Sequence, residues 1–316
     1  MSDDRNKGVS LLRRSKYITP VESSYSKGAD LMVRLFFLIV SLISFLPVLL
    51  VFIISFSSEK SILSQGYSFF PKEFTLESYK ILFRSGSYLI RSLFNSVLIT
   101  ATGTLLGLII MCPFAYALSR KEFKFRKAFV FFLMIPMLFS GGLVSTYMVN
   151  TQILHLKNSY WALILPGLCS TWYIMILRNY FKTTIPDSLI EASLLDGGRQ
   201  HQVFFYVVLP LSKPVIATVA AFQTLNYWNS WYPSLLYIDS NHTELYPLQY
   251  VLVNMERSIN TIIRDSQYLS AAQDYVPPAI TVRMVLVVIV ILPIMVVFPF
   301  FQKALKTGMT VGAIKE

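Results

Sequence analysis

Charge is scarce in this chain, and acidic charge is scarcest where the chain is most apolar. Of its 316 residues only 14% are Asp, Glu, Lys or Arg and 54% are hydrophobic, whereas ordinary globular domains carry roughly 25% charged residues. A soluble domain is a poor reading of such a composition. The apolar residues also stand in long blocks that contain almost no Asp or Glu. Transporters driven by ion gradients place ionisable side chains inside their spans as relays, so a self-contained secondary transporter of a polar solute is the weaker alternative. No glycine-rich phosphate loop of the Walker type is present, and the chain is not expected to hydrolyse ATP. No nucleophile–base pair or carboxylate pair falls in the blocks, which disfavours a membrane enzyme. The two cysteines, Cys112 and Cys169, lie in apolar blocks without metal-ligand or disulfide spacing. They read as small buried side chains. His155, His201 and His242 are scattered, and no metal site is expected. The first thirty residues are polar and charged, so no cleavable signal peptide is expected.

Crossing a bilayer takes about 20 mostly apolar residues. Six blocks qualify: about 31–56, 93–118, 128–149, 160–177, 215–238 and 284–301, the last almost unbroken. Prolines sit in most of them, which membrane helices tolerate when neighbours satisfy the freed carbonyl. Gly103 and Gly107 have the spacing of a close helix contact, a pattern common enough by chance to carry little weight alone. The net charge of +11 would suggest nucleic acid in a soluble protein. Here its placement is informative, because Lys and Arg are retained on the cytoplasmic side. With a cytoplasmic N-terminus, the inside segments 1–30, 119–127, 178–213 and 303–316 hold eighteen Lys and Arg, and the outside segments 58–90, 150–159 and 239–282 hold seven. The short loop Arg120–Lys127 has five positive charges in eight residues, a topology signal that also leaves room for a lipid or partner contact. Both termini are therefore expected in the cytoplasm, and no nucleic acid is expected as a partner.

The inside segment 178–213 is far longer than a connector requires. Pro186, Gly197, Gly198 and Pro210 punctuate it. Ser188–Leu195 reads as a short helix capped by Asp187 and stopped by Gly197-Gly198. Gln202–Leu209 reads as a second, closed by Leu209-Pro210. Together they form a knob whose apolar residues Leu189, Ile190, Leu194, Phe204, Phe205 and Val208 need a cover.

Within this segment, Glu191-Ala192-Ser193-Leu194-Leu195-Asp196-Gly197, followed by Val207, Leu209-Pro210 and Pro214, resembles the EAA loop of ABC-type import permeases, with Ser193 in place of the second alanine. Three further stretches extend the likeness: Leu225–Pro233, Tyr246-Pro247-Leu248-Gln249-Tyr250, and Phe298–Lys315. They are similar to the maltose-type second permease of the carbohydrate-uptake branch, in the subgroup associated with lipo-oligosaccharide and polysaccharide-fragment uptake. The resemblance covers about residues 30–316. It implies an all-α membrane protein of six transmembrane helices with the type I importer permease fold, in the cytoplasmic membrane. Residues 1–30 would form an N-terminal tail, 31–302 the permease domain with a coupling loop at about 186–212, and 303–316 a C-terminal tail. It implies a binding-protein-dependent importer of a carbohydrate, an oligosaccharide by expectation. Partners would be a second homologous permease, two copies of a cytoplasmic ATPase, an extracytoplasmic sugar-binding protein and the lipid bilayer. The chain would carry no cofactor, ATP and magnesium belonging to the ATPase. On this resemblance Glu191 is the charged contact with the ATPase, Ala192 and Ser193 pack closely, Asp196 and Gly197 make the turn, and Leu209 and Pro210 set the exit angle. The tail residues Gly308, Gly312 and Lys315 would reach the ATPase as well.

The fifth block carries an aromatic and amide cluster, Asn226, Tyr227, Trp228, Asn229 and Trp231. Polar side chains in a span face the protein interior or a water-filled cavity. Asn226 and Asn229, three apart, would share a helix face, with Tyr227 and Trp231 on the neighbouring one. Aromatic faces with adjacent amides suit a sugar, and an interfacial aromatic belt accounts for the same residues equally well. Trp172 is a further residue of this kind, with the belt the stronger reading. Leu248–Ile262 has a helical apolar stripe suited to packing on the protein itself.

Overall fold

The computed structural model describes residues 27–84, 86–269 and 279–313. The chain forms two compact units, residues 1–50 and 51–316. The first contains most of α1 (Lys27–Ser55), an apolar helix with Pro47 inside it and an Asp30–Arg34 ion pair across one turn.

The second unit is helical among the described residues. In order it contains α2 (Glu59–Gln65), α3 (Glu77–Phe83), α4 (Gly86–Ser119), α5 (Arg126–Leu138), α6 (Gly142–Met148), α7 (Tyr160–Ile164), α8 (Thr171–Thr184), α9 (Asp187–Leu195), α10 (Gln200–Val203), α11 (Leu209–Leu211), α12 (Lys213–Trp228), α13 (Tyr232–Tyr237), α14 (Leu248–Leu269) and α15 (Ala279–Ala313). Among the described residues, three helices are long and apolar enough to cross a membrane unbroken: Gly28–Ser55, Tyr88–Ser119 and Ile280–Pro299. Three more stretches qualify only as bent pairs, Arg126–Leu138 with Gly142–Ile153 at 119°, Tyr160–Gly167 with Thr171–Thr184 at 46°, and Gln200–Leu211 with Lys213–Trp228 at 78°.

The breaks follow local chemistry that block hydropathy does not register. The third apolar block divides at Ser140-Gly141-Gly142, where Gly142 takes φ +79°. The fourth divides at Leu165-Pro166-Gly167, a single 3-10 turn. In the fifth, α12 ends at Trp228 and the chain passes through Asn229-Ser230-Trp231 before α13.

α4 is the central post, in contact with both α8 and α12, and α12 in turn packs on α15. Two cores are strung along it. One joins Met111, Ala115 and Leu118 of α4 to Leu177 and Phe181 of α8, Ile190 of α9, Phe204, Val208 and Val219. The other gathers Leu89, Ile99, Leu163, Tyr227, Trp228, Leu248, Val251 and Val285 at the opposite end. The α14 stripe turns inward there: Leu248, Val251 and Leu252 are buried, with Met255 and Ile259 half-buried against the same core. The buried Asn95 amide donates to the carbonyls of Glu244 (2.7 Å) and Tyr246 (3.1 Å), and its oxygen accepts from the Tyr160 hydroxyl (2.9 Å). These bonds tie the 240s segment to α4.

Candidate functional site

The segment between α8 and α12 folds, as expected, into two short helical limbs joined at Gly197-Gly198, here termed the knob. Pro186 opens α9 with extended backbone, its φ of −61° being the value the ring imposes. Asp187 occupies the first turn, where an acidic side chain suits the helix dipole. It makes no side-chain cap, which corrects the expectation, because cationic neighbours take its carboxylate. At the far end the Gly197 N–H donates to Leu194 O and the Gly198 N–H to Ser193 O, both at 3.1 Å. That is the paired closure of a Schellman stop. Gly197 has φ +85°, while a methyl group placed on it would meet nothing within 4 Å. Its requirement is conformational rather than steric. At Gly198 a methyl group would lie 2.6 Å from the Ser193 carbonyl oxygen, so there the requirement is space. The Ser193 hydroxyl donates back to Leu189 O at 2.8 Å, which leaves its outward surface close to that of an alanine.

The second limb starts at Gln200, two residues earlier than expected, and the Gln202 side chain accepts from the Arg199 N–H at 2.8 Å. A wide π turn spans Phe204–Val208. Pro210 has no N–H to offer Tyr206 and its ring crowds that carbonyl, and the widened turn gives the ring room. The limb is not closed at Leu209-Pro210. It continues through Leu211 and bends at the buried Ser212 into α12.

One arginine holds the knob on α4. Arg120 is 8% exposed. Its Nη2 donates to Phe181 O at 3.0 Å, Nε to Ser119 Oγ at 3.0 Å, and Nη1 to Asp187 Oδ1 at 3.3 Å. Its guanidinium also lies 5.3 Å from the centroid of the Tyr116 ring, whose hydroxyl donates to Gln200 Oε1 at 3.1 Å. Lys121 holds the other Asp187 oxygen at 3.0 Å. The Asp187 carboxyl is held below its usual range by the Lys121 hydrogen bond first, with the two positive charges adding to it. Thus at least two residues of the basic loop serve the knob, in addition to any signal of topology.

The apolar residues of the knob divide in a way the linear pattern did not separate. Ile190, Phe204 and Val208 are buried inward. Leu189 and Phe205 face outward, joined by Leu195 at 88% and Tyr206 at 79% exposed. Leu195 and Tyr206 were not singled out from sequence. The phase of α9 against Ile190, and the shift introduced by the π turn, determine which residues emerge. Glu191, Ala192, Asp196 and Gly197 are exposed on the same knob, Leu209 is half-buried and Pro210 exposed.

The aromatic and amide cluster is dispersed by the end of α12. Asn226 and Asn229 are exposed, and the Asn229 amide donates to Leu225 O at 2.9 Å. Trp231 lies past the break, with the Arg257 guanidinium 5.6 Å from its ring centroid. Trp172 is 61% exposed. Tyr227 is buried, and its hydroxyl donates to Ile164 O at 2.7 Å. Trp228 forms part of the wall of a cavity of about 400 Å³ between α4, α12 and α15, lined also by Thr100, Thr104, Thr224 and Phe298. The Thr100 hydroxyl and Trp228 indole N–H are buried there with no hydrogen-bond partner. Gly308 and Gly312 fall on the helical backbone of α15, and Lys315 lies outside the described residues.

No family model matches the chain. It is 38% identical over 278 residues to the protein LplC of Bacillus subtilis (strain 168), covering 87% of this chain and 91% of LplC. It is 34% identical over 286 residues to the polygalacturonan/rhamnogalacturonan transport system permease protein YtcP of the same organism, covering 90% and 98%. Among solved structures it is similar to a chain of a bacterial ABC transporter involved in the import of the acidic polysaccharide alginate. There the TM-score is 0.73 at 25% identity, covering 90% of this chain and 99% of that one.

Proposed function

The chain belongs to the permeases of ABC-type sugar transport systems, integral proteins of the inner membrane, and on that premise we propose that it forms half of an oligosaccharide path and is driven through the α9–α11 knob. The observation that carries this reading is the knob itself. Its first limb is closed by a Schellman stop and joined to Arg120 through Asp187, and it leaves Leu195, Tyr206, Phe205 and Leu189 exposed along with Glu191. Exposed apolar surface rimmed by polar groups marks an interaction site, and a partner's groove is the cover that such a surface lacks.

In this reading each bent pair counts as one crossing, giving six spans with both termini in the cytoplasm, and the knob lies on that side with the basic loop. A cytoplasmic ATPase in two copies binds the knobs of this chain and of a second homologous permease. ATP and magnesium belong to that subunit. An extracytoplasmic binding protein delivers the sugar. The cargo class rests on relatives named for polygalacturonan/rhamnogalacturonan and arabinooligosaccharides. On this chain's side the path is assigned to the cavity wall at Trp228, with its hydroxyls Thr100, Thr104 and Thr224, and to the outlying Asn226, Asn229, Trp231 and Trp172. Tyr227 stands apart, since its hydroxyl is committed to Ile164. The C-terminal residues Gly308, Gly312 and Lys315 are assigned a secondary ATPase contact.

The test is co-purification from native membranes in mild detergent, for wild type and Gly197→Asp. Wild type should bring a second permease and an ATPase. The variant should keep the permease and lose the ATPase, because an L-residue at φ +85° is strained and the added charge sits at the turn. Isolation of the wild type alone would remove the importer reading. Equal retention of the ATPase by both forms would remove the role given to Gly197.

A further inference from the structure

Two chain segments leave the knob: α8 precedes it and α12 follows it. The first has a weak point. The backbone between α7 and α8 leaves the α-helical path at Leu165-Pro166-Gly167, where a single 3-10 turn stands and the Leu168 N–H bonds to Leu165 O in place of the α-helical acceptor Ile164 O. Irregular backbone at membrane depth persists only where other groups satisfy it. Two side chains of α12, four residues apart and so on one face, do so. Gln223, fully buried, donates through Nε2 to Gly167 O at 2.8 Å and reaches Leu168 O at 3.5 Å. Tyr227 donates to Ile164 O at 2.7 Å. α4 is shaped to receive them. A methyl group on Gly103 would collide with the Tyr227 ring, and one on Gly107 would lie 2.7 Å from the Leu168 oxygen. The GxxxG spacing is therefore the seat of this junction.

At its other end α8 is fixed again. Arg120 donates to Phe181 O, and Arg178 Nε donates to Leu118 O at 3.2 Å. The fourteen residues of α8 put roughly 20 Å between the two fixed points. Without the upper one, a displacement of the knob would be absorbed by bending at residues 165–170.

We propose that Gln223 and Tyr227 are positioning residues that lock this break, making α4, α8 and α12 a single lever that carries knob movement to the opposite end of the permease. This rests on the importer reading above and adds to it the residues through which ATP-driven movement becomes sugar movement. The unbonded Gln223 Oε1, buried and without a partner, leaves the side chain capacity to exchange contacts without breaking its bond to Gly167.

The test uses the complete transporter with its partner permease, ATPase and binding protein in proteoliposomes, and reads sugar taken up per ATP hydrolysed. Tyr227→Phe, which removes one oxygen, should lower that ratio about fivefold, and Gln223→Leu about tenfold, with subunit composition and unstimulated ATPase rate unchanged. Gly103→Ala, whose methyl group would meet the Tyr227 ring at the carbon that carries the hydroxyl and so push that hydroxyl off Ile164 O, should lower it in the same way. A changed half-saturating sugar concentration with an unchanged ratio at saturation would make Tyr227 a sugar contact and overturn the proposal. A lower melting temperature with an unchanged ratio would make the pair merely structural and overturn it equally. A wild-type assembly in which no ATPase associates would instead bring down the importer reading, and the lever with it.

Discussion

Replacing Arg120 by alanine should loosen the knob without unfolding the permease, and the structure sets the size of the effect. The side chain is 8% exposed, so its bonds are not screened as surface pairs are. The bond to Phe181 O, at 3.0 Å, is charge-assisted and worth about 1.5–3 kcal/mol. Its loss leaves that carbonyl at the helix end to find another donor. The Asp187 pair is half exposed, 49% on the carboxylate side, and is discounted to below about 1 kcal/mol. The Tyr116 contact adds roughly 0.5–1 kcal/mol. Most of this total, about 3 kcal/mol, holds α4 on α8; the share borne by α9 is the Asp187 pair, below about 1 kcal/mol, which is at most roughly fivefold in its opening equilibrium. The assay is hydrogen exchange of the purified protein over residues 186–211. Amides of α9 should exchange up to about fivefold faster in the variant, while those of α12 beyond Val219 keep their wild-type rates. Arg120→Lys, which retains the charge but not the fork, should fall between. If α9 exchanged at the wild-type rate in Arg120→Ala, the clamp would not be what holds the knob, and the reasoning from burial and bond count would be refuted.

Two further outcomes follow from the same contacts. Asp187→Asn should lower the melting midpoint slightly at pH 7, because a carboxyl whose folded pKa is depressed contributes stability that is present above its unfolded value of about 3.9. That contribution is lost as pH falls through the folded pKa, so the wild-type and variant midpoints should begin to converge below about pH 4 and meet once the pH lies below the folded pKa. A difference that persisted in acid would rule out the ionised carboxylate as its source. At the other end of the molecule, the Glu59 carboxylate accepts the N–H groups of Ile280 at 2.9 Å and Thr281 at 3.0 Å, and the Thr281 hydroxyl at 2.9 Å. It caps the first turn of α15 from a distant part of the chain. Glu59→Ala should cost about 0.5–2 kcal/mol, read as a lower melting temperature, with Glu59→Gln less affected; an unchanged midpoint in Glu59→Ala would show that water replaces the cap.

The long apolar helices were legible because hydropathy over about 20 residues is a direct record of the solvent a helix must meet. The stretch 31–56 became α1 and 284–301 lies within α15. Breaks were not legible in the same way. Block averaging passes over Ser140-Gly141-Gly142 and Leu165-Pro166-Gly167, although glycine and proline there were visible as residues. At the second break their meaning depended on whether a neighbour could satisfy the freed carbonyls, and that neighbour is α12, more than fifty residues later. For this reason Tyr227 read equally as a sugar-facing or an interfacial aromatic, and Gly103 and Gly107 as a chance spacing, when each is half of one contact. The knob was located from its punctuation, since Gly197 marks a stop in any context. Its outward face was not, because the π turn ahead of Pro210 shifts the helical phase and brings Tyr206 to the surface. Arg120 illustrates the limit of charge counting. The sum over the loop indicates a side of the membrane, but only the fold shows that this arginine is turned inward onto Phe181.

The central claim is that the α9–α11 knob is the surface through which an ATPase acts on this permease. A photo-crosslinking amino acid placed at Leu195, and separately at Tyr206, tests it most directly in native membranes, with Phe70, 88% exposed on a segment remote from the knob in sequence, as the control. The account predicts a crosslinked product containing an ATP-hydrolysing subunit from Leu195 and Tyr206, gained or lost with nucleotide, and none from Phe70. Crosslinks from Leu195 and Tyr206 to lipid alone, in membranes where the ATPase is present and sugar uptake proceeds, would contradict it.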